Sequence, residues 1–466
     1  MLTADKEFYR STLAIALPIA LQNLAASSLN MVDTILIGGM GPQAIAAVGL
    51  ANQVFFLFNL FLFGICSGAS IFTSQFWGKK DIPNIRRVLG ISLLSCVAIG
   101  LIFFVMAFFL PGPILRLFTK DAEVIKLGIG FLRIISFSYA LTGVTFAYAF
   151  TLRGVGQPAY PMAVSMLAFG INTVLNFLLI YGHWGLPRMG VSGSATATLA
   201  ARAIEMSATL AIVYHLRLVP AAGIKELFSF TRLYVKRFYR TALPVIFNES
   251  LWALGTIMYT VVYAHMGTNI VAGFSIFSTV ERLAMVLFFG LAQACAVIIG
   301  QKIGAGREDM AFSYAKRFSL LGPSLGILIG AVMVAASPSI MPFFKVPAAV
   351  TTLARQLTIV LACIIPIRIF NLINIVGILR GGGDTRFSLF IDTAGLWLLA
   401  VPLVFLGGLV WHLPPILVYL LSASEEIFKF ILGVWRLLSR RWINNLTHQM
   451  KDTSEGSAQA AENSIL

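Results

Sequence analysis

Seven carboxylates sit inside long apolar runs of this sequence: Asp33, Glu205, Glu249, Glu281, Asp392, Glu425 and Glu426. A charge at mid-bilayer costs at least ~2.5–3.5 kcal/mol on insertion scales, so an acid there needs a cationic partner, a bound proton or a function. Glu205 lies three residues after Arg202, and Lys429 lies four after Glu425. Both spacings place the two charges on one helix face, where local pairing accounts for the acid. Asp33 has no basic residue at helical spacing in its run. A buried carboxylate without a cation can take up and release a proton. Asn30 stands about one turn before it. The competing explanation is an aspartate solvated at a helix end.

Asn172 and Asn176 are four residues apart and share a helix face. Two amides buried in hydrocarbon need partners, and the acid of Asp33 is the attractive one; ordinary hydrogen bonds between helices are the alternative. Glu249 follows Pro244, and a proline that frees backbone groups suits a polar cavity. Glu281 and Arg282 are adjacent, so they project about 100° apart on a helix and need not neutralise each other. Glu249 and Glu281 are candidates for a cationic substrate or a second ion; either could instead belong to a structural pair.

Other chemistry is poorly represented. Cys66, Cys96, Cys295 and Cys363 lie in apolar runs without CxxC spacing, so they read as packing residues rather than disulfide or zinc ligands. His183, His215, His265, His412 and His448 are scattered, and neither HExxH nor GxSxG occurs, so an enzyme is disfavoured. No cofactor and no structural or catalytic metal is expected. The 15 Met and 37 Phe suit loosely specific binding of flat apolar compounds, but they also serve core and lipid contacts and define no site.

Positioning intramembrane acids requires spanning helices. Of the 466 residues 58% are hydrophobic and 11% charged, against about 25% charge in a typical soluble domain. A span needs roughly 20 apolar residues. The apolar runs predict twelve spans, near 11–37, 44–76, 88–110, 125–151, 159–181, 190–216, 241–265, 270–300, 315–343, 354–379, 387–410 and 414–437. The expected fold is an all-α polytopic membrane protein, and a large soluble domain is excluded. The polar stretch 439–466 reads as a disordered cytoplasmic tail.

The net charge of +15 comes from 34 Lys+Arg against 19 Asp+Glu. A cytoplasmic N-terminus leaves only Arg116, Lys120, Lys126, Arg188, Lys345 and Arg355 on outer segments, and the positive-inside rule selects that orientation, with both termini cytoplasmic. The basic excess, richest at 217–240, then serves topology and anionic lipid headgroups rather than nucleic acid.

The chain repeats itself. Ala16-Leu17-Pro18 returns as Ala242-Leu243-Pro244, Met40-Gly41 as Met266-Gly267, Gly64 as Gly290, Gln75 as Gln301 and Gly78 as Gly304, each 226 residues on. Leu152-Arg153-Gly154-x-Gly156 returns as Leu379-Arg380-Gly381-x-Gly383 after 227. Six spans per half make parallel repeats about an axis along the membrane normal, the architecture of alternating access. The expected organisation is an N-terminal lobe at 1–216, a basic linker at 217–240, and a C-terminal lobe at 241–438. Lys6 and Arg10 before an apolar run imitate a signal peptide, but the first span pairs with the seventh and so belongs to the mature fold. Asp33 has Tyr259 as its repeat mate, so the acid is not a symmetric packing feature.

Met31-Val32-Asp33-Thr34-Ile35-Leu36-Ile37-Gly38-Gly39, the Asn172-x-x-x-Asn176 pair before Tyr181-Gly182, Leu379-Arg380-Gly381-Gly382-Gly383-Asp384-Thr385 and Gln301-Lys302-Ile303-Gly304-Ala305-Gly306-Arg307 together resemble the multidrug and toxic compound extrusion (MATE) family. The resemblance covers all twelve spans. It implies a cation-coupled antiporter in the cell inner membrane, acting as a monomer, in which protons or sodium enter while organic, often cationic, compounds leave through a cleft between two six-helix lobes. It implies that Asp33 is the main ion-binding carboxylate, aided by Asn172 and Asn176. It makes Gln301, Gly304, Arg380, Gly381 and Asp384 structural signature residues.

Some members carry an aspartate at the position of Asn176. Sodium-coupled members use a seventh-span glutamate about one turn beyond Glu249, and a tenth-span acid where this chain has Arg368, Asn371 and Asn374. These departures favour a proton over sodium. The alternative function is a flippase for lipids or lipid-linked oligosaccharides, but such relatives have a strongly cationic cleft, whereas acids predominate in these spans.

Overall fold

The computed structural model describes residues 6–340 and 346–447, which form helices and no strand. Among the described residues ten helices are long and apolar enough to cross a membrane: Lys6–Gly38, Pro42–Gly78, Ile82–Phe109, Ala159–Tyr181, Val191–His215, Arg232–Met266, Thr268–Gly304, Glu308–Ser339, Ala348–Leu379 and Thr385–Val410. The fourth span is a pair, Ala122–Ser136 and Ser138–Gly154, bent by 46°. The twelfth is Pro415–Ser422 continued by Ser424–Leu438; Glu425, Glu426 and Lys429 dilute its hydropathy. Each span coincides with an apolar run of the sequence, and ordinals below follow chain order.

Local signals set the helix ends. The Asp81 carboxylate accepts the Asn84 backbone N–H at 3.3 Å, with a proline in the first turn of the third span. Asp121 likewise accepts from Glu123 and Val124, at 2.9 and 3.3 Å, where the fourth span begins. Turns of π-helix, Ile373–Leu379 and Gly395–Ala400, widen the tenth span just before Arg380 and the eleventh just after Asp392. Apolar side chains such as Leu13, Phe109 and Leu398 stay exposed, as a hydrocarbon surround requires.

The chain divides into two compact units, which do not follow the lobe boundaries expected from sequence. One is Leu21–Ala242, here the first-half unit; the other, the second-half unit, joins the described residues up to Ala20 to the described residues from Leu243 to 447. Both changes of unit occur inside a helix, next to Pro18 and Pro244, where a missing N–H and a bulky ring loosen the helix. In the second-half unit a Cβ on Gly290 would lie 2.9 Å from the Ala16 carbonyl oxygen. Phe8 there packs edge-on against Tyr314 and Phe318, at 5.0 and 4.9 Å. In the first-half unit a Cβ on Gly68 would lie 2.8 Å from that of Ala242. Ala16 and Ala242 are repeat mates, so the exchange of helix beginnings is itself duplicated.

Two further expectations change. Residues 217–240 are no free linker. Ala222 and Leu227 are buried with Leu89 and Leu152, Glu226 pairs with Arg86 at 2.8 Å, and the seventh-span helix already begins at Arg232. The expected disordered tail also fails at its start. Trp442 is fully buried, its Nε1 donates to the Leu437 carbonyl at 3.0 Å, and the Asn444 N–H donates to the Gly382 carbonyl at 2.8 Å. An indole with both its ring and its N–H satisfied holds 439–447 against the glycine-rich loop; residues 448–466 lie outside the described residues.

Candidate functional site

In the first-half unit the first span meets the fifth. Asn176 Nδ2 donates to Asp33 Oδ1 and to Asn172 Oδ1, each at 2.7 Å. Asn172 Nδ2 in turn donates to Thr198 Oγ1 of the sixth span at 3.2 Å. Helical spacing puts both amides on one inward face, and both are buried. The Tyr181 hydroxyl donates to the Leu36 carbonyl at 2.8 Å and fixes the register of the two spans. Asn176 Oδ1 is buried and accepts no hydrogen bond. The site therefore combines one carboxylate, a row of neutral oxygens and an unused buried acceptor. The Asn30 side chain lies outside the described residues.

Thr198 was not singled out in the sequence, where it is hidden in the small-residue run Ser192 to Thr198. One turn further, Arg202 lies within electrostatic range of Asp33, a neighbour from another span that helical spacing within the first span cannot reveal. Arg202 donates to Glu205 at 2.7 Å, forming the local pair that the spacing suggested. From Glu205 a polar chain runs on: Ser165 Oγ donates to Glu205 at 2.8 Å, Gln22 Nε2 to Ser165 at 2.8 Å, and Arg153 Nη2 to Gln22 Oε1 at 2.6 Å.

The five intramembrane acids of the second-half unit, Glu249, Glu281, Asp392, Glu425 and Glu426, each face a cation. Glu249 accepts from Arg380 at 2.7 Å, so the signature arginine is its counter-ion. Glu281 accepts from Arg368 rather than from adjacent Arg282, and Arg368 also faces Glu426 at 3.6 Å. Lys429 donates to Asp392 at 2.6 Å and to Glu425 at 2.9 Å. The sequence leaves two readings open for Glu249 and Glu281, a cation-attracting acid or a member of a structural pair, and each side chain is found in an ion pair. Their partners, 131 and 87 residues away, lie beyond any local pattern. Asp384 accepts from Arg436 at 2.7 Å, Gly381 lies against the Ala296 backbone, and Gln301 and Gly304 close the eighth span, the Gln301 carbonyl accepting the Ala305 N–H at 3.0 Å. Among the described residues no group of three or more His, Cys, Asp or Glu is placed to hold a metal ion.

Twelve spans in two homologous halves, with polar residues gathered inside the spans, define a multi-pass membrane transporter rather than an enzyme. The family model described as MatE matches residues 18–178 and again 244–406, two matches that begin as far apart as the sequence repeat. The chain belongs to the MatE family, the multidrug and toxic compound extrusion transporters.

It is 22% identical over 440 residues to the uncharacterized transporter YisQ of Bacillus subtilis, covering 94% of this chain and 96% of that one. It is 22% identical over 452 residues to the probable multidrug resistance protein NorM of Thermotoga maritima, covering 94% and 93%. A crystal structure of MATE in the bent conformation superposes with a TM-score of 0.84 at 19% identity, covering 93% of this chain and 96% of that one.

Proposed function

We propose that this chain is a cation-coupled antiporter that exports small organic, cationic or amphipathic compounds by alternating access, with the coupling ion bound at Asp33. The observation that carries the reading is the Asp33–Asn176–Asn172 array with its unused acceptor, Asn176 Oδ1. An ionised Asp33 accepts the Asn176 N–H. A protonated Asp33 becomes a donor, and a reoriented Asn176 amide can present its oxygen to that proton. Proton binding therefore changes what Asp33 asks of the fifth span, a local switch that can bias the packing of the helices. The coupling ion is a proton; sodium, held by the same oxygens, is the runner-up. The multidrug-resistance name of the NorM relative supports the substrate class.

In this reading the protein works as a monomer in the cell inner membrane, both termini cytoplasmic, in contact with lipid and not with nucleic acid. Export of a cationic dye from vesicles, driven by an imposed pH gradient or an imposed sodium gradient, tests it. Asp33→Asn should fold and fail to export. Full export by that variant overturns the role of Asp33, and a response to neither gradient favours the flippase.

A further inference from the structure

Cys66 of the second span and Cys96 of the third are 30 residues apart in sequence, yet their sulfurs lie 3.5 Å from each other, and both side chains are fully buried. Both are free thiols. A disulfide bond is about 2.05 Å long, so closing the gap moves each sulfur by less than about 1 Å. The backbone around the pair is held. A Cβ on Gly143 of the fourth span would stand 2.8 Å from the Cys96 carbonyl oxygen, so the third span is pressed onto the fourth at this level and Cys96 has no room to retreat. The pair is not a product of the duplication. The 226 offset carries Cys66 to Ala292 and Cys96 to Gly322, and in the second-half unit the space beside Gly322 is filled by Ile373.

The two spans that carry the thiols also seat the beginning of the seventh-span helix. Phe72 of the second span stacks on Phe238 at 5.7 Å, and the close approach of Gly68 to Ala242 lies on the same span. Ser95 of the third span shares a 2.7 Å hydrogen bond with the Tyr239 hydroxyl. Gly68 and Ser95 are near neighbours of the two cysteines in sequence, so a bond between the sulfurs would join the two walls of this seat. The seated stretch ends at Ala242, just before Pro244, where the chain leaves the first-half unit.

We propose that Cys66 and Cys96 are an oxidative modification site, a dithiol that hydrogen peroxide closes to a disulfide, stapling the second span to the third. Complete burial keeps out charged oxidants and peptide or protein thiols and admits a small neutral oxidant. The Arg153 guanidinium, within electrostatic range of Cys66, places positive charge beside the sulfur that attacks first. That sulfur attacks one peroxide oxygen; the O–O bond breaks, an S–O bond forms, and the thiol proton leaves with the other oxygen as water. The Cys96 sulfur then displaces the hydroxyl of the sulfenic acid. An S–S bond replaces the S–O bond, and the hydroxyl takes the second thiol proton as a second water. Two thiols are oxidised, one peroxide is reduced to two waters, and no net charge is left among the spans. The staple is independent of Asp33; its consequence for export, a stiffened seat and slower turnover, rests on the antiport reading above.

The test uses the full-length protein in lipid nanodiscs, carrying Cys363→Ala so that this exposed cysteine forms no bond between molecules. After treatment with hydrogen peroxide, digestion and mass spectrometry should find the peptide containing Cys66 joined to the one containing Cys96, two hydrogens lighter than the separate thiols. Dithiothreitol, a small neutral dithiol, should release them. The oxidised protein should melt several degrees higher, because the bond constrains the unfolded chain. Cys66→Ala and Cys96→Ala should each abolish that rise; if one does not fold, Cys66→Ser keeps the volume and lacks the reactive sulfur. Unjoined thiols after peroxide, or a sulfonic acid on one cysteine without a cross-link, overturn the proposal. In vesicles, export should fall several-fold on oxidation and recover with dithiothreitol, while the alanine variants do not respond. Equal export by the stapled and reduced protein overturns the effect on the seat. Export absent in both states counts against the antiport reading, and the cross-link is then judged by the mass spectrum alone.

Discussion

Arg380 donates to Glu249 at 2.7 Å, and the repeat mate of that arginine, Arg153, donates to Gln22 at 2.6 Å. The two halves build the same bridge, from the end of the fourth or tenth span back to a side chain shortly after the proline of the first or seventh. The second half makes it ionic. Removing one partner of a buried ion pair costs about 3–5 kcal/mol, so Glu249→Ala should unfold at markedly lower temperature. Glu249→Gln, which copies the amide of the first half, should lose much less. Thermal unfolding of the purified variants ranks them, and equal losses would show that the charge matters more than the bridge.

Thr198 anchors Asn172, which positions Asn176 against Asp33. Thr198→Val removes a hydrogen bond worth about 0.5–1.5 kcal/mol while keeping the shape. Export should persist, but the ion concentration giving half-maximal export should change several-fold, up to about tenfold. A titration of export against pH, and separately against sodium, reads that change; an unmoved midpoint would remove Thr198 from the array.

Arg202→Leu leaves Glu205 buried without its cation, again a loss of about 3–5 kcal/mol. The double variant Arg202→Leu, Glu205→Leu removes both charges and should recover a large part of that stability. A double-mutant cycle on thermal stability measures the coupling; simple additivity would show that the pair is incidental.

Gly290→Ala places a Cβ 2.9 Å from the Ala16 carbonyl. Overpacking of this kind costs about 1–3 kcal/mol, so yield and melting temperature should fall. Ala16 is backbone-limited and cannot step aside, and an unaffected melting temperature would show that the first helix is not tightly seated on the eighth.

Spans and duplication were legible because apolar run length and residue identity at a fixed offset are one-dimensional signals. The Asp33 array was legible in part for the same reason, since Asn172 and Asn176 announce a shared face and Asp33 lacks a local cation. Asp33 was anticipated as a partner for the amides, but other partners brought by tertiary packing escaped: Arg380 for Glu249, Arg368 for Glu281, Thr198 for Asn172. Trp442 escaped because a single indole in a polar stretch carries no periodicity. The exchange of helix beginnings beside Pro18 and Pro244 escaped because a proline within a span marks a weak point without saying which neighbour each side prefers.

That exchange dictates an order of events during biosynthesis. The stretch before Ala20 leaves the ribosome well ahead of its packing partners, Gly290, Tyr314 and Phe318, which are translated about 270 residues or more later. At ~5–20 residues per second the opening stretch waits roughly a quarter of a minute to a minute before its contacts exist. The nascent first half therefore cannot mature as a finished module, and its leading helix must be kept from competing associations until the eighth and ninth spans arrive.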